Sequence, residues 1–453
     1  MQPSANPVNR PDLPPAPQAP HAPAPLLRPG FGRRLGLALC LALLGAYGLI
    51  AVLTVQKAGG PEPYVRQTDF LAALTGGTIL REEPPGALYD EPTQTAVQAR
   101  LLREVGREPL LLLPFNHPPP EALFVALLGG AGLSAPAIFA AWTLCSIAAL
   151  GLALAALHRA WPVPGAPGAL LTLAALSFFP VTGALLLGQS TALVLLGWAA
   201  GSAALRRNAD AWAGGALALA VLKPQTVPVL LLALLLMRRG RALLTWIATV
   251  AGAAVMLMPF LGADWPLRYL GFVFHTASGP ATAAIDPATM QNWRGLFARL
   301  LADTPPAAVL TGIAMVLSLV LVCWIWLRAT RPPAAGPAAA TAWDRRWAIT
   351  LLVALLVNPH LQPHDLTLAL VPGWILVAHL APARWWLGWL WAGWVAGFVA
   401  MLYNTFLLGP AVLWLIATVA LLVRHTLQQP TPTTASGLPQ ALSALPADSR
   451  PPR

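Results

Sequence analysis

The feature that most constrains the fold of this chain is a series of apolar stretches, each about as long as a membrane-spanning helix. Examples are LGLALCLALLGAYGLIAVLTV (35–55), LLTWIATVAGAAVMLMPFLG (243–262) and VLTGIAMVLSLVLVCWIWL (309–327). Only 10% of the 453 residues are charged, against about 25% in soluble domains. The pattern predicts an all-α polytopic membrane protein with about 10–13 spans, several of them too short to cross alone.

The basic residues predict the topology. The net charge of +11 comes largely from short Arg runs between apolar stretches, such as FGRR, LRRNAD, MRRGR and RATRPP. Cytoplasmic loops of membrane proteins carry such an excess of Arg and Lys, so the charge does not indicate a nucleic-acid partner. With these runs in the cytoplasm, residues 57–118, 262–306 and 358–365 are external. We expect the first apolar stretch to stay as a span, since it is too long for a signal peptide, in a multi-pass protein of the inner or plasma membrane.

The chain divides into three regions. Residues 1–30 and 426–453 are rich in Pro and Ala and predict disordered tails around a membrane domain at 31–425. In the first external loop, TDFLAALTGGTIL and PTQTAVQARLLREVG have helical spacing and predict two amphipathic helices on the membrane surface. Further on, SFFPVTGALLLGQS predicts either one kinked span or a span broken at Pro180, and the parity of residues 118–206 stays open.

The first external loop is acidic, since nine of the 17 acidic residues lie between Glu62 and Glu121. Asp69 opens the first predicted helix and is the main catalytic candidate; the alternative is a helix cap, a common role for Asp. Asp90, in ALYDEPTQ, is a weaker candidate for acceptor binding, and its alternative is a turn before the second helix.

Three further candidates, all for substrate binding, interrupt or flank apolar sequence. His117, in FNHPPPEALF, precedes a proline run that holds the chain extended; the alternative is an interfacial His without a role. Gln189, in LLLGQSTALVLL, is a polar group between apolar stretches, which normally faces a cavity or another helix. Lys223, in LAVLKPQTVPVLL, is one of two lysines among 28 basic residues. As a compact charge it suits a phosphate, and a lysine that snorkels at the end of a span is the alternative.

The stretch NPHLQPHDLTLALVP places His360, His364 and Asp365 at the external end of a span. The two His would need a helix to bind one metal, and the neighbouring prolines oppose a helix there. We therefore predict hydrogen bonds to a sugar or a phosphate rather than a metal site. The three cysteines lie in separate apolar segments without metal-ligand spacing, and neither a metal nor another cofactor is expected.

Five motifs together resemble a known family: TDFLAAL with ALYD, FNHPPPEALF, LLLGQSTALVLLGWA, GGALALAVLKPQTVPVLLLALL and NPHLQPHDLTLALVP. In order and spacing they are similar to the bacterial polyprenol-phosphate-mannose-dependent mannosyltransferases of glycosyltransferase family 87, over roughly residues 34–422. The resemblance implies a GT-C type helical bundle whose external first loop carries the catalytic acid. By position, Asp69 matches the loop aspartate proposed as general base, and Gln189 and Lys223 match the Gly-Gln-Ser and Lys-Pro motifs.

The resemblance implies transfer of a hexose, with mannose as the expected sugar, from a polyprenyl-phosphate donor to a hydroxyl of a lipid or glycan acceptor at the outer face, with inversion. Chemistry suggests contacts of Gln189 and Lys223 with the phosphate or lipid of the donor. Two alternatives stay open. A lipid or solute transporter or flippase would also have many spans, although coupled transporters tend to carry charges near the midplane. A protein O-mannosyltransferase or an oligosaccharide ligase would share the architecture and differ in the acceptor.

Overall fold

The computed structural model describes residues 31–84, 86–108, 112–163, 168–278, 286–328, 337–380, 384–402 and 409–427. Within these ranges the chain is helical and has no β-strand, which confirms the predicted all-α class. The α-helices are α1 Phe31–Ala58, α2 Pro61–Val65, α3 Phe70–Glu82, α4 Glu91–Arg103, α5 Pro120–Gly130, α6 Ala135–Ala160, α7 Gly168–Leu176, α8 Phe179–Leu186, α9 Thr191–Arg206, α10 Asp210–Leu217, α11 Val227–Leu236, α12 Gly240–Leu261, α13 Trp265–Ser278, α14 Trp293–Leu301, α15 Pro305–Leu327, α16 Pro337–Leu356, α17 Leu370–Leu380, α18 Arg384–Leu402 and α19 Pro410–Leu427. Short 3₁₀-helices occupy Ala87–Tyr89, Ala218–Leu222, Pro224–Thr226, Pro287–Thr289 and Pro363–Ala369. The predicted tails, apart from residues 426 and 427, lie outside the described residues.

Four helices of the described ranges, α1, α6, α12 and α15, are long and apolar enough to cross a membrane. A fifth crossing results if the bent pair α7 and α8 counts as one span. Six other apolar helical segments have only 10–17 residues. The multi-pass character is confirmed, but the predicted total of about 10–13 spans is reached only if these short segments also cross, for example where the bilayer is locally thin.

The long helices expose apolar side chains rather than burying them. On α12, Leu244, Met256 and Phe260 are 68%, 75% and 61% exposed, and on α15 Val316 and Leu317 are 59% and 62% exposed. Soluble proteins rarely expose apolar patches of this extent. These helix faces are therefore suited to contact lipid.

The bend between α7 and α8 measures 57°. Because α8 begins at Phe179, Pro180 lies in its first turn, where the N–H that proline lacks would have no helical partner anyway. The hydroxyl of Tyr47 on α1 donates to the Ser177 carbonyl in the break at 3.1 Å. Of the two predicted alternatives, one kinked span or one broken at Pro180, the structure has a break, but the break lies at Ser177 and Phe178 and Pro180 is inside α8.

The first loop helix, α3, is buried along residues 70–79, so its predicted position on the membrane surface was wrong. The physical reason is a pair of glycines in the middle of the helix. A Cβ on Gly77 would lie 2.3 Å from Cγ1 of Val125 on α5, far inside van der Waals contact. The missing side chain lets α5 pack directly against α3, and α3 becomes part of the protein core.

The second loop helix, α4, has one buried and one exposed face, as predicted. From the buried face, Gln94 and Gln98 reach the extended segment before α5. Gln94 Oε1 accepts from the Phe115 N–H at 2.8 Å, and Gln98 Oε1 accepts from the Leu113 N–H at 2.8 Å. Gln98 Nε2 also donates to the Leu113 carbonyl at 2.8 Å. These side chains satisfy backbone groups of an extended segment and fix the chain directly before His117.

The largest hydrophobic core lies among α6, α9, α11, α16, α17 and α19, and Trp198 and Trp347 are fully buried in it. Beside this core, the buried Asp344 carboxylate on α16 accepts from Arg206 Nε at 3.2 Å and lies 2.6 Å from His379 Nε2. Arg206 belongs to the LRRNAD run. At least one arginine of the runs that predict the topology therefore also links two helices of the bundle, α9 and α16.

Candidate active site

Asp69 stands at the N-terminus of α3 but does not cap it. Its carboxylate makes no hydrogen bond to the first-turn amides of the helix. Instead, Asp69 Oδ2 accepts a hydrogen bond from Gln189 Nε2 at 2.7 Å. The half-buried carboxylate is therefore directed toward the bundle, and the alternative role as a helix cap is not what its side chain does.

Gln189 is brought to Asp69 by a tight turn between α8 and α9. The preceding Gly188 has φ +70°, and a Cβ at this position would lie 2.8 Å from the Cβ of Phe70. Glycine adopts such a φ without steric cost and leaves room for the neighbouring chain. The turn therefore explains the Gly of the Gly-Gln-Ser motif, because it sets Gln189 against the start of α3.

Lys223 lies between two short 3₁₀-helices where the helical segment that starts at α10 is interrupted before α11. Its Nζ donates to Gln189 Oε1 at 3.0 Å and lies 2.7 Å from Asp365 Oδ1. These contacts fix the orientation of the Gln189 amide. The opposite orientation would place its oxygen against the Asp69 carboxylate and its NH₂ group against the Lys223 ammonium. Asp69, Gln189, Lys223 and Asp365 thus form one continuous polar chain through a buried part of the bundle.

Asp365 and His364 lie in the 3₁₀-helix that precedes α17. The Asp365 carboxylate is 1% exposed and also accepts from the Thr191 hydroxyl at 3.0 Å. His364 Nε2 lies 3.6 Å from Asp365 Oδ1, too far for a good hydrogen bond. His360 is half-buried, and Asp365 and Lys223 act on it electrostatically. The predicted trio at the end of α16 therefore joins the same cluster.

His117 enters the cluster from the segment before α5, paired with Glu121. The distance from His117 Nδ1 to Glu121 Oε2 is 2.6 Å, and the Tyr89 hydroxyl donates to the His117 carbonyl at 3.0 Å. Burial raises the pKa of Tyr89 well above its usual range, so this hydroxyl stays a donor. His117 also interacts electrostatically with both His360 and His364.

Glu121 and Ser190 are members of the polar cluster that the sequence analysis missed. Glu121 is 3% exposed and Ser190 is fully buried. The two groups interact electrostatically, although neither Glu121 Oε1 nor Ser190 Oγ makes a hydrogen bond of good geometry to any described residue. The available signal was that Glu121 is the last Glu of the chain and stands in an apolar helix four residues after a His.

Asp90 does not join the cluster. Its Oδ2 accepts from the Thr93 N–H at 3.0 Å and caps α4. It also lines an open cleft of about 840 Å³ between α4 and α13. Tyr89 forms part of this cleft and contacts the His117 segment through its hydroxyl. Asp90 therefore borders a space next to the cluster, and the predicted role in acceptor binding stays a prediction.

The cluster combines three carboxylates, one ammonium and three imidazoles. They are Asp69, Glu121, Asp365, Lys223, His117, His360 and His364. A carboxylate free of helix capping can accept a proton, and buried cations can stabilise a departing anion. The arrangement suits a group transfer that releases negative charge.

Comparison with known sequences decides the class of protein. The sequence profile of glycosyltransferase family 87 matches residues 115–359, more than half of the chain. The chain belongs to glycosyltransferase family 87. This family 87 member is a multi-pass membrane glycosyltransferase, and its partners are a sugar donor, an acceptor and the membrane lipid around its helices. No match was found among curated proteins or among solved structures.

The family 87 match covers one part of the cluster. It begins two residues before His117, includes Glu121, Gln189 and Lys223, and ends one residue before His360. Asp69 lies outside it. A hydrogen bond to Gln189 links the Asp69 carboxylate to the matched region.

Proposed function

We propose that the protein transfers a hexose, with mannose the sugar suggested by the motif resemblance, from a polyprenyl-phosphate donor to a hydroxyl of a lipid or glycan acceptor. In this proposal the bundle is of the GT-C type, and the reaction occurs at the outer face of the inner or plasma membrane, with inversion. The observation that supports it best is the chain from Asp69 through Gln189 to Lys223, which joins a possible base to a buried cation.

Asp69 is the proposed general base. During transfer, the bond between the anomeric carbon and the phosphate oxygen breaks, and the acceptor oxygen bonds to the same carbon. The acceptor proton passes to the Asp69 carboxylate, and the electron pair of the broken bond stays on the phosphate. The Gln189 amide holds one carboxylate oxygen at 2.7 Å, which leaves the other oxygen for the acceptor hydroxyl.

Lys223 is the proposed cation for the donor phosphate. A phosphate that leaves from a sugar gains negative charge, and a fixed cation lowers the energy of that state. Lys223 is 6% exposed, and its contacts to Gln189 and Asp365 fix its position. His360 and His364 lie close to this pair and are proposed to bind the phosphate or the sugar hydroxyls.

The cleft beside Asp90 is the proposed route of the acceptor. It is open to the surroundings and adjoins the segment of His117 through Tyr89. Acidic and aromatic side chains in one cleft are typical of sugar recognition, because they bind hydroxyls and the apolar faces of the rings. Its lining includes Tyr89, Asp90, Glu91, Arg103, Phe272 and His275.

The test uses purified protein in liposomes, offered three labelled donors: polyprenyl-phosphate mannose, polyprenyl-phosphate glucose and a mannose nucleotide. The proposal predicts covalent transfer of label to an acceptor fraction from polyprenyl-phosphate mannose and none from the nucleotide. Transfer from polyprenyl-phosphate glucose alone would contradict mannose as the sugar but would still support a polyprenyl-phosphate donor. Passage of intact donor lipid across the bilayer without covalent transfer would instead support the flippase alternative.

A further inference from the structure

The pair of His117 and Glu121 is a polar unit that the proposed reaction does not yet use. Glu121 stands in the first turn of α5 and is 3% exposed, although it carries a carboxylate. Its Oε2 lies 2.6 Å from His117 Nδ1, and Ser190 is a second polar neighbour, although Glu121 Oε1 makes no hydrogen bond of good geometry within the described part of the chain. Burying a carboxylate costs free energy unless the group is paired or hydrogen-bonded. The pairing of Glu121 with His117 therefore calls for a functional explanation.

The geometry defines the protonation of one ring nitrogen. An ionised carboxylate only accepts hydrogen bonds, so His117 Nδ1 carries a hydrogen that points at Glu121. The other nitrogen, Nε2, then remains for a ligand, and it makes no hydrogen bond to any residue that the structure describes. The His117 side chain is 27% exposed, which leaves the ring accessible.

The charge balance of the cluster favours a protonated imidazole. With neutral His, the carboxylates of Asp69, Glu121 and Asp365 outnumber the ammonium of Lys223 by two charges. The Lys223 charge is already compensated by Asp365 at 2.7 Å. A phosphate donor adds negative charge, and bond cleavage adds more. A second cation is therefore needed to bind and release a phosphate without strong repulsion.

Of the three imidazoles in the cluster, only His117 lies within hydrogen-bond distance of a carboxylate among the described residues, which makes it the best placed to be that cation. Its bond to Glu121 is direct at 2.6 Å, whereas His364 lies 3.6 Å from Asp365, which already pairs with Lys223. The side chain of His364 is also only 8% exposed. A carboxylate hydrogen bond stabilises an imidazolium, and His117 combines that bond with access to a ligand.

We propose that Glu121 is a positioning residue that holds His117 as an imidazolium whose Nε2–H binds the donor phosphate. The inference rests on the proposed function for the identity of the donor and extends it by a second phosphate contact. Atoms and electrons balance as in the reaction above, because His117 transfers no proton. It contributes charge and a hydrogen bond, and the Glu121 carboxylate at 2.6 Å compensates that charge and orients the ring.

Several groups around the pair also titrate or carry charge. Glu121 faces Ser190 and Lys223, and its field reaches Tyr89 and Tyr269. The field of His117 reaches His360 and His364. A pH profile of the wild type alone would mix these groups. Variants of both members of the pair identify its contribution, because the other groups keep their side chains in all of them.

The experiment measures kcat/KM for polyprenyl-phosphate mannose between pH 5.5 and 9, a range of about three and a half units around the ordinary titration of His, in nanodiscs. The proteins are the full chain, Glu121→Gln and His117→Gln, with Glu104→Gln as the control, since Glu104 is half-exposed and pairs with Arg66. Gln at position 121 keeps an oxygen that can accept from Nδ1–H but removes the charge.

In the wild type and the control, kcat/KM falls as the pH rises and the imidazolium is lost. In Glu121→Gln the fall occurs at a lower pH, because a neutral amide stabilises the cation less than a carboxylate does. In His117→Gln this fall is absent, and activity at low pH is about tenfold lower. A fall at the wild-type pH in Glu121→Gln would overturn the proposal, even if that variant is less stable.

A binding measurement separates this inference from the proposed function. Undecaprenyl phosphate and inorganic phosphate are titrated into the wild type, Glu121→Gln and His117→Gln at several pH values. We expect undecaprenyl phosphate to bind, with affinity lost at a lower pH in Glu121→Gln than in the wild type. If this shift occurs without any sugar transfer by the wild type, the proposed function fails and the phosphate contact stands.

The reverse results are equally decisive. If the wild type transfers sugar but both variants bind undecaprenyl phosphate with the wild-type pH dependence, the Glu121 inference fails and the proposed function stands. Binding of inorganic phosphate with equal affinity and the same shift would assign the contact to free phosphate rather than to a lipid headgroup, and would overturn the donor as its ligand.

Discussion

The side-chain amide of Gln189 donates a hydrogen bond to the Asp69 carboxylate at 2.7 Å. The same amide accepts from Lys223 Nζ at 3.0 Å, so one neutral side chain aligns a carboxylate and an ammonium. A direct ion pair with Lys223 would occupy the Asp69 carboxylate, whereas Lys223 pairs directly with Asp365 instead. The Gln189 bridge keeps the two groups apart and fixed, which suits a base and a phosphate cation that act on one substrate.

Gln189→Ala is expected to lower kcat/KM roughly 10- to 100-fold, because hydrogen bonds to charged groups contribute about 1.5–3 kcal/mol. The check is the rate of hexose transfer per folded protein in nanodiscs. Gln189→Glu should be worse, since it places a second carboxylate against Asp69. A rate for Gln189→Ala within twofold of the wild type would contradict a role of the bridge, on the scale of about 0.4 kcal/mol.

Gly188→Ala is expected to reduce both stability and transfer. An alanine at this position would have to adopt a φ of +70°, and its Cβ would lie only 2.8 Å from the Cβ of Phe70. Such strain costs about 1–3 kcal/mol of stability. The check is the apparent Tm together with the rate. Gly215→Ala is the matched control, because a Cβ there meets nothing within 4 Å. Equal Tm values for the two variants would argue against the claim that the turn at Gly188 positions the Gln189 side chain.

Lys223→Ala is expected to raise KM for the donor more than KM for the acceptor, because the phosphate loses its cation. The substitution also leaves Asp365 buried without its ion pair, at a cost of about 3–5 kcal/mol. The double variant Lys223→Ala, Asp365→Asn removes that cost and keeps the loss of donor affinity. Lys57→Ala, which changes the other lysine of the chain, is the control. An unchanged donor KM in the double variant would exclude the phosphate role.

Asp344→Ala is expected to lower stability and leave transfer per folded protein near the wild-type value. It removes the partner of Arg206 and His379, and a loss of this kind costs about 1–3 kcal/mol when the remaining charge is partly exposed. The apparent Tm and the rate are measured on the same samples. A large loss of rate at unchanged Tm would place Asp344 in the chemistry instead of the scaffold.

The sequence predicted much of the helical architecture because lipid imposes a simple rule on spanning segments. It was wrong about α3, whose apolar spacing alone is compatible with a membrane surface or a protein core. The difference came from Gly77, and its effect depends on Val125, which is distant in sequence. Periodicity within one helix cannot supply such a contact.

The sequence analysis singled out Asp69, Gln189 and Lys223 separately, as polar groups in apolar surroundings. It did not predict that Gln189 would join the other two, because that contact depends on the turn at Gly188. Glu121 was missed because nothing local distinguishes a buried carboxylate from one at the end of a span. Only the fold, which sets it against His117 and Ser190, gives it a role in the site.

The most direct measurement of the central claim is transfer of labelled hexose from a polyprenyl-phosphate donor by Asp69→Asn. Asn keeps the shape of the side chain and an oxygen that can accept from Gln189, but it cannot take the acceptor proton at neutral pH. Glu83→Gln, an exposed change in the same loop, is the control. We predict a loss of at least about 100-fold for Asp69→Asn at an unchanged apparent Tm, and wild-type rates for the control. Undiminished transfer by Asp69→Asn would contradict the account.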